Sequence, residues 1–234
     1  MTQKTKFSVI GGGSWATAIA KMLCVNLEEI TWYMRNEDAI EHIKTYHHNP
    51  NYLSSVEFDT KKLKLTSDIN EAVAKAKLSD VVIAVMGEEE SIVGESRSRT
   101  SLDLPGKQLQ LLQALYQTGK PIVLVLINGR PLTINWANKY IPSILEAWFP
   151  GVDGGAAIAE TLFGDYNPGG KLPVTFPKSV GQIEYNFPFK PASHAGQPGD
   201  GPNGFGKTNV YGSLYPFGFG LSYTNFAYSN LSVT

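Results

Sequence analysis

Apolar residues follow two alternating patterns along this chain. Short continuous apolar runs predict β-strands, and apolar residues spaced three or four positions apart predict helices. The predicted strands are Phe7–Ile10, Ile30–Met34, Leu63–Leu65, Asp80–Val85, Ile122–Ile127, Ile144–Trp148 and Leu172–Phe176. The predicted helices are Ser14–Leu23, Asp38–Tyr46, Ile69–Ala76, Pro105–Gly119, Leu132–Tyr140 and Gly154–Phe163. Strands that alternate with helices favour parallel pairing under right-handed crossovers.

The fold class follows from this alternation. Continuous apolar strands are typical of a sheet that is covered by helices on both faces. We therefore predict an α/β fold, a doubly wound and mostly parallel Rossmann-like three-layer sandwich, whose ligands gather at the carboxyl ends of the strands. Prolines and glycines concentrate over residues 178–214, which predicts an irregular C-terminal excursion from a single domain.

Composition narrows the choice of ligand. The 234 residues carry 20 basic and 21 acidic side chains, so no overall field attracts nucleic acid or an anionic membrane, and a small molecule is the expected ligand. Cys24, the single cysteine, lies in an apolar helical stretch and is predicted to be a buried, unreactive thiol. The histidines show no metal-ligand spacing, so no metal is predicted. No signal-peptide-like apolar stretch follows Met1, and we expect a cytoplasmic protein.

The first strand leads into a glycine turn that suits a dinucleotide. Gly11, Gly13 and Ala16 fit the pattern G-x-G-x-x-G/A, in which glycines let the backbone approach a pyrophosphate at a helix N-terminus. The alternative is that these glycines serve only the packing of strand against helix. Arg35, at the end of the second strand, could accept a 2′-phosphate, which favours NADP at least as well as NAD, or it could be a solvent-exposed arginine.

The first part of the chain resembles the bacterial NAD(P)-dependent glycerol-3-phosphate dehydrogenases. The resemblance rests on Val9–Ala18, Trp32–Asn36 and His47–Leu53 and extends from about Lys6 to about Ala76. It implies that Ser14, Trp15 and Arg35 contact NADP or NAD, and together with Gly11 and Gly13 of the glycine turn they are the predicted cofactor-binding residues. The family's helical domain, with its catalytic lysine, has no counterpart after Val85.

The remainder is similar to the C-terminal α/β sandwich domain of family 3 glycoside hydrolases, the β-glucosidase and β-xylosidase type. The motifs are Gly87-Glu88, Gly94–Pro105, Val125–Leu132, Phe163–Pro173 and Tyr215–Tyr223. The resemblance implies that Glu95 is the general acid/base carboxylate, that no cofactor is required, and that the nucleophilic aspartate belongs to a separate barrel. Glu95 could also be an idle, solvated loop carboxylate. We interpret Glu88, Glu89 and Glu90 as a solvated acidic run.

Together the resemblances predict a hybrid, engineered or fused, in which residues 1–76 and 77–234 share one sheet. Three functions compete: a glycoside hydrolase module that supplies Glu95 but lacks a nucleophile and has little activity alone, a module that binds NADP or NAD, and a scaffold with neither activity. If the chain is an enzyme, an O-glycosyl hydrolase acting on a β-glycoside is the first expectation. Glycerol-3-phosphate dehydrogenase is the second.

Overall fold

Six parallel strands form one sheet at the centre of the molecule. The structure is a computed structural model and describes residues 5–182, 212–225, 227 and 229. The strand order is β3-β2-β1-β4-β5-β6, the order of dinucleotide-binding Rossmann folds, and it places the topological switch point between β1 and β4. The strands are β1 (Phe7–Ile10), β2 (Ile30–Tyr33), β3 (Leu63–Thr66), β4 (Val81–Gly87), β5 (Ile122–Ile127) and β6 (Ser143–Glu146).

Helices cover both faces of this sheet, which confirms the predicted three-layer α/β fold. The helices are α1 (Ser14–Asn26), α2 (Glu37–Tyr46), α3 (Ile69–Ala76), α4 (Gln108–Tyr116), α5 (Asn135–Tyr140) and α6 (Gly154–Phe163). One buried cluster contains Ile19, Trp32 and Ile83 beneath α1, α2 and α6. A second, which contains Leu112 and Leu124, lies on the opposite face beneath α3, α4 and α5. A central strand such as β5 is therefore apolar nearly throughout, because both of its faces are buried.

Side-chain caps fix two of the helix starts. The Asn36 side chain accepts a hydrogen bond from the amide of Ala39 at the start of α2, and the Asp68 side chain accepts one from the amide of Asn70 at the start of α3. Helix α2 ends where His47 takes a left-handed conformation, with φ of 65°. Local side-chain bonds thus define where α2 and α3 begin.

The fold differs from the sequence prediction at several element boundaries and at one predicted strand. Helix α4 begins at Gln108 rather than at Pro105, because Gly106 has a φ of +62° and cannot belong to a right-handed helix. Leu172–Phe176 was predicted as a strand, but only one antiparallel bridge forms there, between Phe176 and Tyr215. Most of the predicted excursion over 178–214, including His194, lies outside the described residues.

Strands from both sides of residue 76 belong to the same sheet. Strand β1 pairs with β2 on one edge and with β4 on the other, with Ile10 opposite both Tyr33 and Ala84. Cys24 is buried, as predicted, and burial raises the pKa of its thiol to about 11. None of the helices in the described part of the chain combines the length and the apolar character needed to cross a membrane.

Candidate active site

Three polar residues meet at the carboxyl edge of the sheet. Glu88 directly follows β4, Asn128 directly follows β5, and Glu146 is the last residue of β6. Because β4, β5 and β6 are parallel neighbours, these ends lie side by side. Asn128 is buried, and its Nδ2 donates to the backbone oxygen of Arg130 (2.9 Å) and to Glu146 Oε2 (3.4 Å). The sheet therefore assembles a polar cluster where the fold class predicts a ligand site.

Glu88 is buried, so its interpretation as part of a solvated acidic run was wrong. Its side chain is fully shielded from solvent, and Oε1 accepts from Arg99 Nη1 (2.7 Å) and from Arg130 Nε (3.1 Å). Oε2 accepts from the amide of Gly129 (3.2 Å). A buried carboxylate is tolerated only when it is paired and hydrogen-bonded, and the two guanidinium groups provide that pairing. Glu89, by contrast, is exposed, as predicted.

Glu95 lies at the apex of a tight turn in the loop that follows Glu88. The amide of Arg97 donates to the carbonyl of Gly94 (3.2 Å), so Glu95 and Ser96 are the two central residues of a four-residue turn. Ser96 has a φ of 60°, the positive value that a type II turn requires at this position. Gly94 has a φ of 109°, which only glycine adopts readily. The turn presents the Glu95 carboxylate to solvent.

Arg130 connects this loop to the sheet. Its Nη2 donates to the carbonyl of Ile92 (2.9 Å) and its Nη1 donates to the carbonyl of Arg97 (3.1 Å). These two carbonyls lie on either side of Glu95 in the sequence. The contacts of Arg130 show that it anchors the loop that carries Glu95.

Glu146 is the described carboxyl group with the most altered acidity. Burial raises its pKa from the ordinary 4.5 to about 7, and the negative charge of Glu88 adds to the effect. The amide of Trp148 donates to Glu146 Oε1 (3.0 Å) and Asn128 donates to Oε2, and both bonds lower the pKa. Glu146 therefore changes charge near neutral pH. Sequence reasoning missed it because it was counted among the apolar residues of a strand.

An open groove of about 840 Å³ runs beside β6. The C-terminal segment forms part of its wall and is tied to the helices by two hydroxyl groups. Tyr215 Oη donates to Asn138 Oδ1 (2.6 Å), and Tyr223 Oη donates to the carbonyl of Thr161 (2.5 Å). Both tyrosines belong to the Tyr215–Tyr223 motif, which therefore has a structural role on this edge of the sheet.

The glycine turn lies at the same carboxyl edge, between β1 and α1. Gly11 has a φ of +142°, and a Cβ there would lie 2.9 Å from the carbonyl oxygen of Val85. A Cβ on Gly12 would lie 3.8 Å from the backbone nitrogen of Arg35, so the turn and the end of β2 are neighbours. Around Gly13 a Cβ would meet nothing within 4 Å. The backbone here is accessible to a ligand.

The other predicted cofactor residues occupy different environments. Ser14 is half-buried and begins α1, whose N-cap, Gly13, makes no side-chain capping bond. Arg35 is exposed. Trp15 packs against Gly154, where a Cβ would lie 2.6 Å from its ring, and so it also serves the contact between α1 and α6. Among the described residues, no three histidine, cysteine or acidic side chains form a metal-ligating group.

The fold and this edge define an α/β sandwich domain that presents one anchored, solvent-facing carboxylate. The chain matches the description "Glycosyl hydrolase family 3 C-terminal domain" over residues 3–223 and belongs to that family. The match includes the stretch that resembles a dehydrogenase, and the comparisons give no support for a second family or for a hybrid.

Curated relatives and solved structures agree with this assignment. The chain is 48% identical over 171 residues to a periplasmic β-glucosidase of Salmonella typhimurium and covers 22% of that protein. It is 48% identical over 158 residues to a β-xylosidase of Formosa agariphila and covers 21% of it. These alignments span 71% and 68% of this chain. The chain therefore spans about a fifth of the length of these relatives.

The structural neighbours cover more of the chain. A β-glucosidase from Erythrobacter marinus superposes with a TM-score of 0.72 at 31% identity, over 95% of this chain and 32% of the other. A β-glucosidase from Listeria innocua, solved with glucose, gives a TM-score of 0.64 at 26% identity, over 95% of this chain and 30% of the other. The fold of the whole described sheet is thus that of the corresponding part of these enzymes.

Proposed function

We propose that this chain is the module of a β-glycoside hydrolase that supplies Glu95 as the general acid/base. The observation that carries the proposal is the placement of Glu95. It is an exposed carboxylate at the apex of a turn that is anchored from both sides to the carboxyl edge of the sheet. The similarity to β-glucosidases and β-xylosidases supports a β-glycoside as the substrate class.

The chemistry needs a second carboxylate. In retaining hydrolysis one carboxyl group protonates the leaving oxygen while another attacks the anomeric carbon, and the first then acts as base on the incoming water. Glu95 takes the acid/base role, and the nucleophile comes from outside these 234 residues. The chain alone is therefore expected to show little turnover. The hydrolase reaction requires no cofactor.

A graft tests the proposal. The chain replaces the matching segment of the Salmonella β-glucosidase, and aryl β-glucosides with poor and good leaving groups are assayed. Glu95→Gln should lower kcat on the poor leaving group by about 10²–10⁴-fold, because that oxygen needs a proton. The 2,4-dinitrophenyl glucoside should lose far less in its first chemical step. Glu89→Gln, a matched change on an exposed neighbour, should have little effect. Equal activity of the Glu95→Gln and Glu89→Gln variants would refute the assignment.

A second candidate function, the binding of NADP or NAD, is favoured by one observation. The strand order is that of dinucleotide-binding folds, and the open backbone at Gly13 lies at their phosphate position, next to the strand end that carries Arg35. Titration of the chain with NADPH, followed by cofactor fluorescence, tests it. Arg35→Ser should weaken NADPH more than NADH. No binding at millimolar cofactor would remove this function.

A further inference from the structure

We propose that Arg130, held in place by the buried Glu88, is a positioning residue that aims Glu95 at the glycosidic oxygen. The inference rests on the proposed function of Glu95 and adds the side chains that make it effective. It concerns Glu88, Arg99 and Arg130, which lie up to 42 positions apart in the sequence and meet at one buried carboxylate.

All three nitrogens of the Arg130 guanidinium are engaged. Nε faces Glu88 Oε1 (3.1 Å), Nη2 donates to the carbonyl of Ile92 (2.9 Å), and Nη1 donates to the carbonyl of Arg97 (3.1 Å). The two carbonyls belong to residues three positions before and two positions after Glu95. One planar group therefore fixes both ends of the segment whose apex is Glu95.

Glu88 fixes Arg130 in turn. The Glu88 amide donates to the carbonyl of Ile127 (2.8 Å), so its backbone continues the pairing of β4 with β5. Its carboxylate forms ion pairs with the side chains of Arg130 and Arg99 and accepts a hydrogen bond from the amide of Gly129. Because the Glu88 side chain is fully buried and the Arg130 side chain is 21% exposed, water competes little for the pair. The position of the loop is therefore fixed by its contacts with the sheet.

Arg99 holds the far side of the same loop. Its Nη1 pairs with Glu88, and its Nη2 donates to the carbonyl of Asp103 (2.9 Å). The side chain of Asp103 in turn accepts a short hydrogen bond from the hydroxyl of Thr133. The segment from Ile92 to Asp103 is therefore attached at both ends, and the Glu95 turn lies between the attachments.

Only a forked donor can make these contacts. A lysine at position 130 would keep the charge beside Glu88 but, as a single ammonium group, could not bridge two carbonyls in fixed geometry. The turn has little intrinsic stability because Ser96 takes a left-handed conformation that is unfavourable for a residue with a Cβ. Without the fork, the Glu95 turn should therefore sample other conformations. A displacement of about 1 Å costs a catalytic group up to about 10²-fold in rate.

Two measurements on Arg130→Lys test the proposal. In the 234-residue chain, amide hydrogen exchange at Arg97 should become roughly tenfold to hundredfold faster, as expected when a charge-assisted bond is lost, while the amides of β4 and β5 keep their protection. In the graft described above, kcat on a poor leaving group should fall by about 10–100-fold. The first chemical step on the 2,4-dinitrophenyl glucoside, followed as the burst of dinitrophenolate release, needs no proton and should change by less than about threefold. Glu89→Gln is the control for both measurements.

The outcomes separate the two proposals. If Glu95→Gln has no effect on turnover, the proposed function fails, and the positioning role fails with it. If Glu95→Gln acts as expected but Arg130→Lys slows the first chemical step equally on both substrates, Arg130 only stabilises the fold and the positioning role is overturned. Unchanged exchange at Arg97 overturns it too. Should Arg130→Lys fail to fold, Arg130→Gln, which retains one donor group, is measured in the same way, and the same results decide.

Discussion

Glu146 makes the stability of the fold depend on pH in a way that can be measured directly. Burial and the nearby charge of Glu88 raise the pKa of its carboxyl group from 4.5 to about 7. Glu146→Gln replaces this carboxyl group with a neutral amide of the same shape. The substitution leaves an acceptor for the amide of Trp148, so the packing around the end of β6 should be preserved.

The sign and the size of this pH dependence follow from the linkage between proton binding and folding. A pKa raised in the folded state means that folding favours the protonated carboxyl group. Its contribution to stability is therefore complete below about pH 4.5, is lost as the pH rises to about 7, and is constant above that. The difference between 4.5 and about 7 corresponds to about 3 kcal/mol in the free energy of unfolding.

Urea unfolding from pH 4.5 to pH 8 provides the assay. Each variant is compared with the parent chain at the same pH, so the titration of every other group cancels. Relative to the parent, Glu146→Gln should gain about 3 kcal/mol in unfolding free energy between the two ends of this range. Glu89→Gln, on an exposed carboxylate, should show no such gain. A Glu146→Gln difference that stays constant within about 0.5 kcal/mol would refute the assignment of a raised pKa to burial of this group.

Two further substitutions test the edge of the sheet. Glu88→Gln should lower the free energy of unfolding by about 3 kcal/mol, because it leaves two partly buried guanidinium groups without their counter-ion. In the same denaturant titration, Glu89→Gln should change the free energy of unfolding by less than about 0.5 kcal/mol. Gly87→Ala should cost at least about 3 kcal/mol, because φ is +140° there and a Cβ would lie 2.0 Å from the carbonyl oxygen of Ile127. A thermal midpoint unchanged by Gly87→Ala would contradict the close approach of β4 and β5.

The central strands could be predicted from sequence because burial on both faces leaves a simple signal. Strand β5 was predicted with its observed bounds, Ile122–Ile127, since a continuous run of six apolar residues is typical of a parallel strand that is buried on both faces. The run Leu172–Phe176 looked similar but formed only the bridge from Phe176 to Tyr215. A strand needs a partner as well as apolar residues, and the sequence of Leu172–Phe176 does not show whether one is available.

The candidate site was harder to predict because its pairs are distant in sequence. Three consecutive glutamates are typical of a solvated run. Glu88, however, is the first residue after β4 and therefore lies beside the end of β5. Its pairing with Arg130 joins positions that no local pattern connects. One signal was present: a carboxylate directly after a buried parallel strand, with an arginine shortly after the next strand. Glu95 was singled out by resemblance alone, because an exposed carboxylate in a loop carries no pattern of its own.

Azide rescue is the most direct test of Glu95 as the acid/base. In the graft carrying Glu95→Ala, the 2,4-dinitrophenyl β-glucoside still forms a glycosyl-enzyme, because its leaving group needs no proton, but water can no longer be activated for the second step. Azide, which needs no base, should then restore turnover and yield β-glucosyl azide, with no acceleration in the parent graft. Absence of rescue and of the azide product, in a folded variant with low activity, would contradict the assignment of Glu95 as the acid/base.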